Sequence, residues 1–276
     1  MIAFGPVPSR RLGRSLGINN IPPKVCTYAC VYCQAGKTTR MQTERMPFYD
    51  PEEIYIDVRK KIEKAHKKGE SVDYLTFVPD GEPTLDIHIG REIDLLRTLG
   101  TKIAVITNAS LIWREDVRET LYRADWVSLK IDATREKLWR RINRPHRKLN
   151  LAVILDGMRE FAKLFRGKLV TETMLVRGVN DSSINMIEVT EFIARLEPFK
   201  AYLSVPTRPP TEKWVKPPDE KTLNAAFQTM SEKIDRVEYL IGYEGNAFAF
   251  TGDVEDDLLS IMAVHPMRED AVKEFL

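Results

Sequence analysis

The sequence predicts an α/β fold around a parallel sheet, and three observations carry that prediction. Short apolar runs alternate with stretches of helical periodicity a dozen or so residues long. About six such βα units succeed one another with no strong internal repeat. Six is short of the eight that close a barrel, so the sheet should stay open. The 276-residue length suits one large domain with a small appendage.

Taken in order, the first strand is expected over residues 14–21, and a cysteine-bearing loop follows it directly. Pro51-Glu52-Glu53 opens a helix over 51–68, with Ile54, Val58, Ile62 and Ala65 at helical spacing and Gly69 as its stop. A strand at 74–78, a helix at 87–99 ended by Gly100, and a strand at 102–107 come next. A helix over 111–122, a strand over 126–132 and helices over 135–142 and 150–165 follow. A strand over 168–177, a helix over 182–196 and a strand over 201–205 complete the units. Proline-rich chain from 206 to 218 then leads to a helix over 219–233.

Residues 1–233 are therefore read as the main domain and 234–276 as a C-terminal α+β appendage. Its expected parts are a hairpin of 237–243 and 247–251 around Glu244-Gly245-Asn246, a helix capped by Asp253, and a short helix from Pro266. The order helix, turn, helix resembles a winged-helix fragment, so a nucleic-acid role stands beside a packing or lid role.

Composition excludes little. A net charge of +2 does not announce a nucleic-acid partner. No apolar run reaches the 18 or so residues that cross a bilayer, so no membrane role is expected. The first residues lack the basic region of a secretory signal. Free thiols fit a reducing, cytoplasmic location.

Cys26, Cys30 and Cys33 are the only cysteines. Three thiolates so close together can hold three irons of a cubane iron–sulfur cluster. Four cysteines are the usual ligation, so the fourth iron is left open to another ligand. A structural zinc site needs four ligands, and His66, His88, His146 and His265 are all remote in sequence. A disulfide framework is disfavoured by the odd count. The spacing also fits one buried helix face, but Pro22, Pro23 and Gly36 mark a loop.

The spacing C-x3-C-x2-C, with Tyr32 before the last cysteine, resembles the signature of radical S-adenosylmethionine (radical SAM) enzymes. The resemblance implies a partial (β/α)6 TIM-like barrel and a single [4Fe–4S] cluster on Cys26, Cys30 and Cys33. It also implies that S-adenosylmethionine (SAM) chelates the open iron through its amino and carboxylate groups. An electron from the cluster would cleave SAM to methionine and a 5′-deoxyadenosyl radical, which abstracts hydrogen from substrate. A flavodoxin or ferredoxin would supply that electron.

Ligands of parallel βα proteins sit at the C-terminal ends of the strands. There, Pro79-Asp80-Gly81-Glu82-Pro83 resembles the family's Gly-Gly-Glu-Pro element, with Asp80 in place of its first glycine. Gly81 permits close backbone approach, and the Glu82 carboxylate suits the SAM ammonium group; a simple polar turn is the alternative. Asn108, in Thr107-Asn108-Ala109-Ser110, matches a family position near the ribose or methionine part of SAM, or else shapes the turn. In 126–132, Val127, Leu129 and Ile131 share one face and Ser128, Lys130 and Asp132 the other. Three polar groups turned inward must be paired or bind something, unless this is an exposed edge strand. By family analogy Ser128 contacts SAM and Lys130 joins it as a cofactor contact, while Lys130 and Asp132 pair or meet substrate. Val176 corresponds to a backbone position flanking adenine, and Tyr32 lies beside the cluster. Glu172 and Arg177 address substrate or are rim charges.

Two basic clusters remain, Arg10-Arg11 with Arg14, and seven basic residues against Glu136 between 135 and 148. The second, which includes Trp139 and Asn143-Arg144-Pro145-His146, is either a phosphate clamp or a solvated helix face.

The segments Gly5-Pro6-Val7-Pro8-Ser9-Arg10-Arg11, Ser15-Leu16-Gly17-Ile18-Asn19 and Gly81-Glu82-Pro83-Thr84-Leu85 extend the resemblance over roughly residues 1–205. They are most similar to an iron–sulfur oxidoreductase group related to wyosine-forming tRNA enzymes and, more distantly, to molybdenum cofactor biosynthesis protein A. Those relatives carry a second cluster on cysteines that this chain lacks, so only reductive SAM cleavage transfers. The leading expectation is a single-cluster enzyme acting on RNA or a nucleotide-like substrate. The alternatives are a protein-modifying enzyme such as a glycyl-radical activase, and a non-catalytic electron carrier or sensor.

Overall fold

The computed structural model describes residues 2–241 and Lys273. In chain order the strands are β1 (Ala3–Ser9), β2 (Gly13–Ile18), the two-residue β3 (Val25–Cys26) and β4 (Arg40–Met41), β5 (Tyr74–Phe77), β6 (Lys102–Thr107), β7 (Trp126–Lys130), β8 (Lys168–Met174), β9 (Lys200–Ser204) and β10 (Val237–Leu240). The helices are α1 (Pro51–Lys67), α2 (Ile89–Arg97), α3 (Glu115–Leu121), α4 (Glu136–Asn143), α5 (Leu151–Leu164), α6 (Ser183–Ala194) and α7 (Glu220–Ser231).

Local sequence sets these elements. Helix α1 begins at Asp50, whose side chain accepts the Glu52 N–H, with Pro51 at the first helical position and Glu52 and Glu53 against the helix dipole. It buries Ile54, Val58, Ile62 and Ala65, the predicted face. Gly69 follows at φ +74°, a left-handed turn that suits glycine. Asn150, Ser182 and Asp219 cap α5, α6 and α7 in the same way.

One sheet runs in the order β1-β2-β5-β6-β7-β8-β9-β10. All neighbours are parallel except β1, which pairs antiparallel with β2 at one edge. The sheet curls into an open half-barrel, as the six βα units predict. Because side chains alternate along a strand, each strand has an outer and a lumen row. Leu75, Phe77, Ile103, Val105, Val127, Leu129 and Leu203 belong to the main core, with Ile54 and Val58 of α1 and Phe161 of α5. Full burial of each such side chain is worth about 1.5–3 kcal/mol. The lumen row begins as an apolar plug of Leu12, Ala104, Trp126, Val170, Tyr202 and Leu240. Beyond the plug the register sets Lys130 beside Glu172, and Met174 beside Ser204. This confirms the two-faced reading of the strand over 126–132 and excludes its edge-strand alternative.

Two strands of the main sheet differ from expectation, and the short β3–β4 pair is additional to it. β1 was not anticipated because Pro6 and Pro8 interrupt it; an edge strand tolerates proline, and the register shift between Phe4 and Val7 spans Pro6. Val237–Leu240 was expected as half of a hairpin but joins the main sheet parallel to β9. The other expected parts of the appendage lie outside the described residues. Among those described, no helix is long and apolar enough to cross a membrane.

Candidate functional site

Four elements hold the cysteine loop at the C-terminal ends of the strands. Val25 and Cys26 pair with β4. Gly81 packs so tightly beneath them that a Cβ on it would stand 2.0 Å from the Val25 carbonyl oxygen, an approach only glycine permits. Lys24 donates its N–H to the Asp80 carbonyl (2.7 Å) and its Nζ to Asp80 Oδ2 (3.0 Å). The chain at the end of α4 runs beside the loop, with Val31 N–H on the Ile142 carbonyl (2.9 Å) and His146 N–H on the Thr27 carbonyl (2.9 Å). The proline-rich segment 206–218 straps the far end. There Thr211 gives both its N–H (3.0 Å) and its hydroxyl (2.8 Å) to the Cys33 carbonyl.

The three thiols are free and half-buried. Two side-chain amides approach them. Asn108 Nδ2 lies 3.5 Å from Cys26 Sγ and 2.8 Å from Thr27 Oγ1, while Asn143 Nδ2 lies 3.5 Å from Cys30 Sγ. Burial pushes the Cys26 thiol up to about 12, Cys30 further still, and Cys33 upward as well. Bare, these are neutral thiols; a bound metal makes them thiolates. Among the described residues no three His, Cys, Asp or Glu side chains converge on a single ion. All three cysteines line one cavity of about 300 Å³, together with Lys24, Gly81, Asn108, Lys130 and Glu172.

Charges in the lumen are paired. Glu172 accepts from Lys130 Nζ (2.9 Å), from Ser204 Oγ (3.1 Å) and from Arg11. Burial works against the Glu172 carboxylate, yet the two cations outweigh it and hold its pKa down at about 2. Burial likewise opposes the Lys130 ammonium, but Glu172 and Asp132 more than compensate and raise its pKa. The Lys130 ammonium also sits 5.1 Å from the centre of the Tyr32 ring. Asp132, expected to pair with Lys130, instead accepts the Tyr32 hydroxyl, Asn143 Nδ2 (2.7 Å) and the Met174 N–H (2.8 Å).

Several expected contacts are relocated. The Glu82 carboxylate does not face the cavity: it is fully buried and accepts from Thr84 N–H (3.1 Å), Thr84 Oγ1 (2.5 Å), Thr107 Oγ1 (2.6 Å) and Asn108 N–H (2.7 Å). It ties the loops after β5 and β6 together instead of reaching for an ammonium group. Ser128 is buried on the lumen row and Val176 in a small apolar cluster with Val31 and Tyr32; neither lines the cavity. In the basic segment 135–148, Trp139 is buried against Tyr28 (5.8 Å, edge-on), and Arg135, Arg140, Arg144 and Lys148 are ion-paired. The phosphate-clamp reading loses most of its residues. Asn143, expected as part of that clamp, instead turns inward to Asp132 and Cys30, because an asparagine carries no pattern that reveals its partner.

The family model for the radical SAM superfamily matches residues 20–189. The chain belongs to the radical SAM superfamily. Within it, this radical SAM enzyme belongs to the UPF0026 family. It is 50% identical over 277 residues to UPF0026 protein MJ1312 of Methanocaldococcus jannaschii, spanning 100% of this chain and 86% of that one. A UPF0026 protein of Helicobacter pylori is 33% identical over 230 residues, covering 82% and 73% of the two chains. Solved structures share the fold. TYW1 with a lysine-pyruvate adduct has a TM-score of 0.56 at 16% identity, covering 81% of this chain and 76% of that one. Streptococcus suis SuiB bound to S-adenosylmethionine has a TM-score of 0.60 at 15% identity, covering 82% and 51%. The superfamily implies a [4Fe–4S] cluster and SAM. The donor set of this radical SAM enzyme fits that pair: three thiols on one firmly held loop, amide N–H groups at two of the sulfurs, and a cavity alongside.

Proposed function

We propose that Cys26, Cys30 and Cys33 hold a single [4Fe–4S] cluster, that SAM binds in the adjoining cavity, and that the enzyme acts on a nucleotide-like substrate. The observation that carries this reading is the convergence of three thiols, and no fourth cysteine, on one 300 Å³ cavity. When bound and reduced, the cluster supplies the electron that splits SAM into methionine and a 5′-deoxyadenosyl radical.

The chain's own residues bind and orient. Gly81 bares backbone beside the loop for the SAM amino group, and Lys130, held cationic by Glu172, suits its carboxylate. Asn108, on the cavity wall, serves the methionine and ribose parts, and Tyr32 secures the loop through Asp132, while Ser128 and Val176, buried behind the wall, only shape it. Glu82 acts indirectly, by fixing Asn108. The apolar plug closes the N-terminal end of the lumen to water, which protects a reactive intermediate.

Support for a phosphate-bearing substrate comes from a recess of about 210 Å³ that adjoins the cavity. Arg10, Arg11 and Arg208 line it with Glu172; Arg11 is paired with Glu172 and Arg10 donates to the Ile241 carbonyl, but a guanidinium has five N–H donors, enough to serve these partners and a phosphate. An RNA chain has weaker support, because four of the seven basic residues of 135–148 are ion-paired. A protein substrate remains the second reading and a sensor the third. Anaerobic reconstitution with iron and sulfide, then reductant and SAM, should release 5′-deoxyadenosine even without substrate. None from a well-formed, reduced cluster would favour the sensor. Co-purifying RNA released by salt would restore the RNA reading.

A further inference from the structure

Asn143 is the last residue of α4 and is buried at 2% exposure. Its Nδ2 carries two hydrogens and stands 2.7 Å from Asp132 Oδ2, 3.2 Å from the Tyr32 hydroxyl oxygen and 3.5 Å from Cys30 Sγ. One hydrogen is committed to the carboxylate. Tyr32 spends its own proton on the same carboxylate, so it offers Asn143 only a lone pair. The second amide hydrogen is therefore shared between the Tyr32 oxygen and the Cys30 sulfur. An anionic sulfur competes well for it, because hydrogen bonds to charged acceptors are the stronger ones.

The amide is also held in place. Asp132 is fixed by the Met174 N–H at 2.8 Å. The Asn143 carbonyl accepts the Ala29 N–H (3.1 Å), and Val31 N–H binds the neighbouring Ile142 carbonyl (2.9 Å). Arg144 then leaves the helix in a left-handed conformation, φ 43°, which turns the chain sharply after Asn143. The loop that carries Cys30 and the residue that addresses its sulfur are thus docked to each other through backbone and side chain alike.

We propose that Asn143 is a positioning residue that tunes the electron-accepting site: its amide N–H holds the Cys30 sulfur and raises the reduction potential of the cluster bound there. The proposal rests on the three-cysteine cluster reading. Its physical basis is that reduction adds negative charge to the cluster and its sulfurs. A donor at a sulfur stabilises the reduced state more than the oxidised one. Without that donor the electron would be harder to deliver to the site.

The test is a potentiometric titration of the reconstituted holoenzyme followed by electron paramagnetic resonance, with iron and sulfide measured on each sample. Asn143→Leu keeps a similar volume and removes the donor; Asn143→Ser keeps a hydroxyl donor. The expected result is a more negative potential for Asn143→Leu. At a fixed poise its reduced-to-oxidised ratio should fall about tenfold, which is about 59 mV for a one-electron couple, with Asn143→Ser in between. Unchanged potentials at full cluster content would overturn the proposal. So would failure of both variants to hold a cluster that the wild type holds, since Asn143 would then serve only to assemble the loop. A wild type that takes up no four-iron cluster at all would instead sink the underlying cluster reading.

Discussion

The two ends of the lumen are built from the same strands and lined in opposite ways. At the N-terminal end Leu12, Ala104, Trp126, Val170, Tyr202 and Leu240 pack into an apolar plug. Four residues further along β7 and two further along β8 the same row carries Lys130 and Glu172, and beyond them Asp132 is bonded to Tyr32 and Asn143. Within the sheet, backbone groups are spent on the ladder, and a buried charge has few partners. At the C-terminal ends the loops bring free N–H groups and side-chain donors to the lumen, and charges become tolerable. Stability should therefore reside in one end and chemistry in the other, and mutations can separate the two.

The largest effect is expected at the cysteine loop. Cys30→Ala should abolish both the brown absorbance of the reconstituted cluster and turnover, with little change in the melting temperature of the apo protein. Retained turnover would contradict the ligation. Trp126→Ala should do the reverse. Emptying the centre of the plug costs about 3–5 kcal/mol, read as a lower denaturant midpoint, while iron content per folded molecule stays at the wild-type level.

Smaller effects sharpen the division. Gly81→Ala forces a methyl group against the Val25 carbonyl; a displacement of this order costs about a hundredfold in rate, measured as 5′-deoxyadenosine release. Glu82→Gln keeps shape but meets the four Glu82 donors with only one acceptor oxygen. Donors left unpaired in this way cost about 1–3 kcal/mol in urea denaturation.

The smallest effect concerns a buried carboxylate with no cation beside it. Glu92 is fully buried next to Asp86 and Asn20, and burial, then Asp86, push it up to about 9. The folded protein holds this proton more tightly than the unfolded chain. Its stabilising contribution is therefore complete at acid pH and is lost as pH rises towards about 9. Melting curves from pH 6 to 9 should fall for the wild type and flatten for Glu92→Gln. Parallel curves would show that Glu92 is ionised in the fold.

Much of this arrangement was legible in the residues. Periodicity located every βα unit because apolar alternation and helix caps are local signals. The cysteine spacing located the loop, and Gly81 and Asn108 stood where strand ends place them. The partners were harder to see. Glu82 looked available for a ligand, yet Thr84, Thr107 and Asn108 claim it, since a buried carboxylate takes whatever donors the fold supplies. The charges of 135–148 suggested a clamp, but their counterions Glu44, Glu188 and Glu212 lie far away in sequence. β10 looks like a hairpin strand in sequence because its parallel partner, β9, is separated from it by a whole helix.

Mössbauer spectroscopy of the iron-57-reconstituted protein, with and without SAM, tests the central claim most directly. The account predicts a four-iron cluster in which one iron differs from the other three and changes its spectrum when SAM is added. Four equivalent irons that ignore SAM, or a mononuclear metal in their place, would contradict it.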